Sequence, residues 1–256
     1  MKPHVAVRGR LAVAAQKAYY EDTAGEFDAW HLKTSDEHHS ALLWIDFLFP
    51  PHMVASVLDV GAGTGRTVQF FRHRGRSVTG VEPSSAQIAQ ARKKGIPPGH
   101  IVQADGRALP FADGSFDAVC EFGVLHHVEQ PQRVIAEMLR VARKAVFISD
   151  SNRFGQGHLI SKLAKLALCN SGLWRVAELT LTRGKGYHFS ERDGIFYSFS
   201  VYDHLEQVAR AAEHVWLLPV TKGNGRLWCR PLLTHGHVLL CAFKKGFAPP
   251  LGMQMS

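Results

Sequence analysis

Short apolar runs alternate with amphipathic segments along residues 55–150 of the chain. The amphipathic spacing predicts helices over residues 64–74, from Ser84 to the residue before Gly95, and after Pro131. Strands that alternate with helices build βαβ units, so the pattern predicts an α/β fold with a doubly wound, mostly parallel sheet. The runs that predict its first five strands are "ASVLDV" (55–60), "SVTGVEP" (77–83), "HIVQAD" (100–105), "SFDAVCEFG" (115–123) and "KAVFISD" (144–150).

The regular alternation stops after residue 150. Residues 158–168, "HLISKLAKLAL", predict an amphipathic helix that serves as a lid, with a helix resting on a membrane surface as the alternative. After an irregular stretch, a further helix is predicted over residues 201–212. Two strands, 214–220 and 237–245, are expected to pair antiparallel because no helical pattern separates them. We therefore expect a seven-stranded sheet whose C-terminal strand is antiparallel.

Residues 151–200 form an insertion between the fifth predicted strand and the last predicted helix. Loops at the carboxyl ends of parallel strands surround the ligand crevice of a doubly wound sheet. The insertion therefore predicts a lid or a substrate pocket, and a purely structural extension is the alternative. Before the sheet, "AYYEDTAGEFDAWH" and "SALLWIDFLF" predict helices rich in aromatic residues, which we expect to form a cap over an edge or face of the sheet.

Composition narrows the class of protein. No apolar run in the 256 residues approaches the roughly 18 residues of a membrane helix, and the N-terminal apolar stretch is too short for a secretory signal. The four cysteines are scattered without a CxxC pair, which suits a reducing cytoplasm.

The net charge of +8 raises the question of nucleic-acid binding. The basic residues cluster at helix ends rather than in a stripe with aromatics, which favours an ordinary solvated surface.

The stretch "VLDVGAGTGRTVQFF" (57–71) places three alternate glycines after Asp59 at the end of the first strand. A dinucleotide site would require a third glycine at the position of Arg66, and a phosphate-binding P-loop would require a following Gly-Lys-Ser/Thr. Neither pattern is present. The spacing instead favours a flat, non-phosphorylated ligand against bare backbone, with Asp59 available to an ammonium group or a backbone donor.

Four segments in order resemble the class I S-adenosylmethionine-dependent methyltransferases: "LDVGAGTG", "VEPS", "QADGRALPFADGSFDAV" and "GVLHHVEQPQRVIAEMLRVAR". The resemblance covers about residues 55–150 closely. It implies a Rossmann-like methyltransferase fold, with S-adenosylmethionine as the cofactor. It further implies that Glu82 accepts hydrogen bonds from the ribose hydroxyls, that Asp105 accepts one from the adenine amino group, and that Pro83 lies against the adenine. The cofactor-binding residues implied are Asp59, Gly61, Gly63, Gly65, Glu82, Pro83, Asp105, Gly106 and Phe122.

Methyl transfer to a hydroxyl or an acidic carbon requires a general base. His126 and His127 follow the fourth predicted strand, where the ligand crevice opens, and a near-neutral pKa suits either histidine to that task. The alternative is a pair that packs near the cofactor without taking a proton. By location alone, residues that could line the substrate pocket are Tyr19, Tyr20, Tyr187 and His188.

A metal site is not expected from the sequence, despite fifteen histidines. His235 and His237 could share one face of an extended segment, and "DEHH" (36–39) is dense in polar groups. Neither group has a third ligand at a recognised spacing, and no cysteine supports them.

The sequence therefore predicts a cytoplasmic S-adenosylmethionine-dependent methyltransferase acting on a small molecule, with a hydroxyl as the expected acceptor. The Asn/Asp-Pro-Pro-Tyr/Phe signature of base amino methylation is absent, since "EFGV" stands there. The alternatives are an RNA or protein methyltransferase, a non-catalytic partner subunit and, less favoured by Arg66, a nicotinamide-dependent oxidoreductase. We expect one domain, divided into an N-terminal cap (1–50), a cofactor-binding half (51–150), a lid or substrate insertion (151–200) and a C-terminal helix and strand pair (201–256).

Overall fold

The computed structural model describes residues 15–16, 18–25, 36–50, 52–191, 193–221 and 231–247. In this part of the chain, seven strands form one sheet and two short strands form a hairpin. The strands are β1 (Ser56–Val60), β2 (Ser77–Val81), β3 (Ile101–Val102), β4 (Phe116–Phe122), β5 (Ala142–Ser151), β6 (His188–Ser190), β7 (Gly194–Phe196), β8 (His214–Pro219) and β9 (His237–Phe243).

The main sheet has the strand order β3-β2-β1-β4-β5-β9-β8. Strands β1 to β5 pair in parallel, whereas β9 lies antiparallel between β5 and β8. This confirms the predicted seven-stranded, mostly parallel sheet and its antiparallel C-terminal pair. The order reverses between β1 and β4, and the crevice at such a switch point is where doubly wound sheets bind ligands.

Helices cover both faces of the main sheet. On one face α1, α2 and α3 pack against the sheet around Phe49, Phe147 and Phe243, and on the other α4 and α7 pack around Met138 and Val146. The described helices are α1 (Glu37–Leu48), α2 (Arg66–Arg72), α3 (Ser85–Lys93), α4 (Pro131–Val141), α5 (Leu159–Asn170), α6 (Trp174–Leu181) and α7 (Leu205–Ala209). Among the described residues, no helix combines the length and apolarity needed to span a bilayer.

Local chemistry explains where several of these elements begin. Asp36 accepts a hydrogen bond from the backbone N–H of His39 at 2.6 Å, so α1 starts before the predicted segment 40–49. Pro131 occupies the first turn of α4, where its missing N–H is harmless. Five apolar residues of α4 are buried, at about 1.5–3 kcal/mol for each fully buried large side chain. Residues 18–23 are helical as predicted, while residues 26–31 of the first predicted helix lie outside the described residues.

The insertion contains more regular structure than its sequence pattern indicates. Beyond α5, which matches the predicted helix, it holds α6 and the hairpin of β6 and β7. The hairpin strands have three residues each, which is too short for a recognisable alternation. Tertiary contacts hold the hairpin: the backbone N–H of Tyr197 donates to the carbonyl of His126 at 2.7 Å, and that of Ile195 to the side chain of Gln16 at 2.5 Å.

Candidate active site

Two adjoining cavities open at the carboxyl ends of the parallel strands. The first, which we call the strand-end cavity, has a volume of about 200 Å³ and lies over the ends of β1 and β2. The second, the histidine cavity, has a volume of about 330 Å³ and extends from the glycine turn toward α1 and the hairpin. The residues that contact both cavities are Tyr20, Gly61, Gly63, Phe122, Gly123 and His127.

The glycine turn between β1 and α2 forms the floor of both cavities. Gly61 has φ of 78°, and a Cβ atom there would lie 2.3 Å from Val124 Cγ2, so only glycine fits beside the loop after β4. Gly63 lines both cavities. Gly65, the N-cap of α2, contacts neither cavity; a Cβ atom there would lie 1.9 Å from Ile96 Cδ1. Glycine at this position therefore lets the start of α2 pack closely against Ile96.

Glu82 follows β2 and lines the strand-end cavity. Its Oε2 accepts a hydrogen bond from the backbone N–H of Gly63 at 3.0 Å, and its Oε1 accepts one from that of Ser84 at 2.8 Å. Burial raises the pKa of this carboxyl to about 7, against these hydrogen bonds. Glu82, the acidic residue of the second motif, thus forms a direct hydrogen bond with the glycine turn of the first motif.

The other residues expected at the cofactor also line the strand-end cavity, namely Pro83, Asp105, Gly106 and Phe122. Asp105 accepts hydrogen bonds from the backbone and guanidinium of Arg107, which hold the pKa of its carboxyl below the ordinary value. A Cβ atom on Gly106 would lie 2.9 Å from Val60 Cγ1, so the glycine keeps this wall flat.

The strand-end cavity is shaped for a flat ligand with polar edges. Its walls include the apolar side chains of Val60, Val81 and Val134, with the carboxylates of Glu82 and Asp105 at its margin. The side-chain amide of the buried Gln87 also borders it, and neither amide atom has a hydrogen-bond partner among the described residues. Since buried polar atoms are normally satisfied, an adenosine that supplies donors and acceptors fits this cavity.

Asp59 lies at the floor of the histidine cavity, buried beside Thr67. Burial raises the pKa of its carboxyl to about 7, while a hydrogen bond from Thr67 and the charge of Arg66 oppose the rise. At the rim, Arg66 Nη1 pairs with Asp36 Oδ2 at 2.7 Å. A methionine moiety carries both an ammonium and a carboxylate. Asp59 and Arg66 offer groups of opposite charge to them.

His126 is held by a buried carboxylate. Its Nδ1 donates to Asp150 Oδ1 at 2.7 Å, and its backbone N–H and that of Leu125 donate to Asp150 Oδ2. Burial disfavours the charged imidazole, but the Asp150 carboxylate outweighs it and raises the pKa of His126 to about 10. The imidazolium in turn holds the pKa of Asp150 below its usual range, despite burial. His126 is therefore protonated at neutral pH.

His127 has the opposite character. Burial and the neighbouring His126 lower its pKa, so its imidazole is neutral at pH 7. Its Nδ1 lies 2.6 Å from the carbonyl oxygen of Ile195 and must donate to it, which leaves the lone pair on Nε2. That nitrogen lies 3.3 Å from Asp193 Oδ1. Of the two predicted histidines, only His127 can accept a proton at neutral pH.

The predicted substrate residues divide into two groups. Tyr20 lines both cavities, and its ring packs edge-on against His127 with centroids 5.9 Å apart. Tyr19 points elsewhere and donates to the carbonyl of Glu191. Tyr187 and His188 lie on the far side of the hairpin and contact neither cavity; His188 Nε2 lies 3.1 Å from Glu178 Oε1.

Three further residues of the site escaped sequence analysis. Asp150 ends a predicted strand, as Glu82 does, and this position at a strand end is a signal that could have marked it as a site residue. His38 lies in the "DEHH" segment, which the sequence did not connect with the site; it lines the histidine cavity, with its Nδ1 3.4 Å from Ser149 Oγ, and burial lowers its pKa well below the ordinary value. Asp193 lies in the hairpin turn, and nothing in the sequence pattern singles it out.

Comparisons with known proteins agree with this geometry. Residues 58–148 match the model of a family described as "Methyltransferase domain". A phosphatidylethanolamine N-methyltransferase of Cereibacter sphaeroides is 38% identical over 105 residues, which cover 39% of this chain and 51% of that protein. The chain spans between about a third and a half of the length of the curated relatives it matches.

Two solved structures show the same fold across most of the chain. One is an S-adenosylmethionine-dependent methyltransferase of Thermotoga maritima, described as a possible histamine N-methyltransferase: it is 17% identical, with a TM-score of 0.59 over 90% of this chain and 100% of that one. The other is the Burkholderia thailandensis 1,6-didemethyltoxoflavin-N1-methyltransferase with bound S-adenosylhomocysteine: it is 16% identical, with a TM-score of 0.56 over 92% and 90% of the chains.

Proposed function

We propose that this chain, whose residues 58–148 match a methyltransferase-domain family, is a class I S-adenosylmethionine-dependent methyltransferase that transfers the methyl group of this cofactor to a hydroxyl of a small molecule. The observation that carries the proposal is the position of His127. This neutral histidine contacts the strand-end cavity, which fits an adenosine, and also the polar histidine cavity beyond it. An acceptor in the histidine cavity therefore lies beside the end of the cofactor that carries the methyl group.

In this proposal Glu82 and Asp105 hold the ribose and the adenine, Gly61 and Gly63 allow close approach of the backbone, and Asp59 faces the methionine moiety. S-adenosylmethionine supplies a methyl group on a good leaving group, so the protein has mainly to position and desolvate the acceptor. Tyr20, Phe122 and Asp193 of the hairpin line the histidine cavity. Oxygen is the proposed acceptor because a neutral hydroxyl benefits from a nearby group that accepts its proton.

His127 is the proposed proton acceptor. Its Nε2 carries the lone pair, and Asp193 at 3.3 Å stabilises the imidazolium that forms. His126, already protonated, contributes positive charge that favours a developing oxyanion. The proposal accordingly assigns proton transfer to one histidine of the pair and electrostatic stabilisation to the other.

The direct test is methyl transfer from radiolabelled S-adenosylmethionine to separate panels of phenols, sugars and amines, with total RNA as a further substrate. We expect incorporation into a hydroxylated small molecule. His127→Ala should lower kcat by about 10²–10⁴-fold when measured at saturating S-adenosylmethionine, and the exposed His73→Ala control should match the wild type. Salt-sensitive incorporation into RNA alone would replace this proposal with the RNA alternative, and failure to bind S-adenosylhomocysteine would favour the non-catalytic subunit.

A second candidate is N-methylation of an amine. The Cereibacter sphaeroides relative is named for an amine acceptor, and the carboxyl groups that line the histidine cavity, Asp36, Glu37, Asp59 and Asp193, would attract a cationic one. An amine attacks only in its unprotonated form. N-methylation would therefore appear as labelling of the amine panel, with a rate that rises with pH up to the pKa of the substrate amine.

A further inference from the structure

Three side chains from two separate parts of the chain converge at the histidine cavity. His126 and His127 come from the single helical turn after β4, and Asp193 comes from the turn between β6 and β7. Asp193 Oδ1 lies 3.3 Å from His127 Nε2, and Asp193 Oδ2 lies 3.7 Å from His126 Nε2. One nitrogen or oxygen atom of each of the three residues lies within 4.8 Å of the others.

The two imidazoles are oriented by partners on their other nitrogens. Nδ1 of His126 donates to the buried Asp150 carboxylate at 2.7 Å, and Nδ1 of His127 donates to the Ile195 carbonyl at 2.6 Å. Histidines that bind metal ions almost always donate their second N–H to a carboxylate or a backbone carbonyl, which fixes the ring and its tautomer. Both kinds of partner are present here, the Asp150 carboxylate for His126 and the Ile195 carbonyl for His127. In each ring this leaves Nε2 directed at the Asp193 carboxylate.

Asp193 forms an ion pair with the histidines, but well-formed hydrogen bonds do not account for this convergence. The 3.7 Å separation between His126 Nε2 and Asp193 is beyond hydrogen-bond range, and the 3.3 Å separation from His127 is at its long end. Ligand atoms at ~2.0–2.2 Å from a common tetrahedral ion lie about 3.3–3.6 Å apart. The separations of 3.3 and 3.7 Å between Asp193 and the two imidazoles are close to that value. Binding an ion therefore requires at most about 1.5 Å of closure between any two of the three ligand atoms, which lie within 4.8 Å of one another.

We propose that His126, His127 and Asp193 bind a divalent transition-metal ion. Two imidazoles and one carboxylate suit zinc, iron(II) or manganese(II), whereas magnesium and calcium prefer oxygen ligands throughout. The ion replaces the proton that His126 Nε2 otherwise carries. Its remaining coordination positions face the histidine cavity, where Tyr20 and His38 form the opposite walls. Asp193 follows His127 by 66 residues, so no ligand spacing along the chain indicates this site.

The site deepens the proposed function, on which its role in catalysis rests. A hydroxyl bound to the ion loses its proton to water more readily than a free hydroxyl. The oxygen then forms a bond to the methyl carbon as the carbon–sulfur bond breaks and its electron pair stays on sulfur. The products are a methyl ether and S-adenosylhomocysteine. With the ion bound, His127 serves as its ligand rather than as the proton acceptor.

The test measures metal binding without requiring turnover. Full-length, untagged protein stripped with a chelator is titrated with ZnCl₂ by calorimetry, and with CoCl₂ while the visible absorption of bound cobalt is recorded. We expect one tight site per chain and the absorption of a low-symmetry cobalt site. His127→Asn and Asp193→Asn should each weaken zinc binding by about tenfold or more, and the exposed His73→Asn should not weaken it.

Binding of S-adenosylhomocysteine to each variant shows whether the variant is folded. The proposal is overturned if the stripped protein binds no stoichiometric zinc, or if Asp193→Asn binds it as tightly as His73→Asn does. If zinc binds as expected but no hydroxyl acceptor is methylated, the metal site stands and the proposed function fails. If zinc binds as expected but hydroxyl methylation proceeds unchanged in the stripped protein, the metal site stands, its role in catalysis fails, and the proton acceptor is His127.

Discussion

At the scale of single residues, buried carboxylates organise the loops that surround the two cavities. Glu82 accepts from the backbone of the glycine turn, and Asp150 accepts from the backbone and ring of His126. Glu121 accepts from the backbone N–H of Val124 at 2.9 Å, and burial raises its pKa well above the ordinary value. Each carboxylate therefore compensates for its desolvation by fixing a loop at the end of a strand.

If Glu82 binds the cofactor as proposed, its pKa makes cofactor affinity depend on pH. Its carboxyl has a pKa of about 7, and only the ionised form accepts hydrogen bonds at both oxygens. We expect the affinity for S-adenosylhomocysteine to fall as the pH drops from 8 to 6, by up to about tenfold per unit below the pKa. Calorimetric titrations at several pH values measure this.

Two variants separate Glu82 from other titrating groups. Glu82→Gln should weaken binding by about 1.5–3 kcal/mol, the range for a hydrogen bond to a charged group, and should flatten the pH dependence. The exposed Glu206→Gln should retain the wild-type profile. An affinity that does not change with pH in the wild type would contradict the assignment of Glu82 to the ribose hydroxyls.

Stability of the ligand-free protein should respond to Glu82 in the opposite direction. Its folded-state pKa of about 7 lies above the ordinary 4.5. The protonated carboxyl is the form that the fold tolerates better, so this contribution to the free energy of unfolding is fully present below pH 4.5. It is lost as the pH rises toward 7. Opposed trends in stability and affinity are typical of a carboxylate buried to bind a ligand.

At the scale of elements, α5 and α6 differ from the helices that cover the sheet. Neither contains a buried residue. The lysines of α5 turn toward the body of the protein, where Lys162 donates to the carbonyl of Leu233 and Lys165 to that of Arg153. Leu159, Ile160 and Leu163 are at least half exposed. Polar contacts thus contribute to the attachment of the helix pair, and several of its apolar side chains stay uncovered.

This difference predicts unequal sensitivity to substitution. Leu163→Ser in α5 should change the free energy of unfolding by no more than about 0.5 kcal/mol, as surface changes do. Met138→Ala in α4 should cost about 2–5 kcal/mol because the side chain is fully buried. Urea denaturation of both variants measures the contrast. A comparable loss for Leu163→Ser would show that α5 packs against another surface in solution.

The hairpin of β6 and β7 is the element that completes the site. Its Ile195 orients His127 through the backbone carbonyl, and its turn brings Asp193 to both histidines. Gln16 holds the same hairpin from the N-terminal side and lines the strand-end cavity. The predicted role of residues 151–200 as a lid or substrate insertion remains a proposal, and the hairpin is the part of it that reaches the cavities.

At the scale of the whole molecule, the walls of the two cavities come from the carboxyl ends of strands in both halves of the sheet, from the N-terminal segment and from the hairpin. A ligand that spans them contacts segments that the chain brings together only on folding. Binding should therefore stabilise the native state as a unit, by about 2.7 kcal/mol at a ligand concentration of 100 times Kd.

Thermal unfolding provides the measurement. Saturating S-adenosylhomocysteine should raise Tm by roughly 5–10 °C for a protein of this size. NADH at the same concentration should leave Tm unchanged, because Arg66 occupies the position of the third glycine of a dinucleotide site. A shift with NADH but none with S-adenosylhomocysteine would refute the assignment of the cofactor and restore the oxidoreductase alternative.

The sheet, the glycine turn and the cofactor could be predicted from the sequence because each depends on local order. Apolar periodicity marks strands and helices, and the turn from Gly61 to Gly65 is contiguous in the chain. Glu82 and Asp105 follow at strand ends, and parallel strands bring such ends to one edge. The observed strand order agrees with this expectation.

Only the tertiary structure brings His127 into contact with Asp193 and Ile195, which follow it by 66 and 68 residues. The same holds for His38 and Ser149, which are 111 residues apart. Such contacts depend on the path of loops and of three-residue strands, which have no periodic pattern. The protonation of the two histidines is likewise decided by burial and by neighbouring charges. Local pattern thus identifies the methyl donor, while long-range packing creates the chemistry offered to the acceptor.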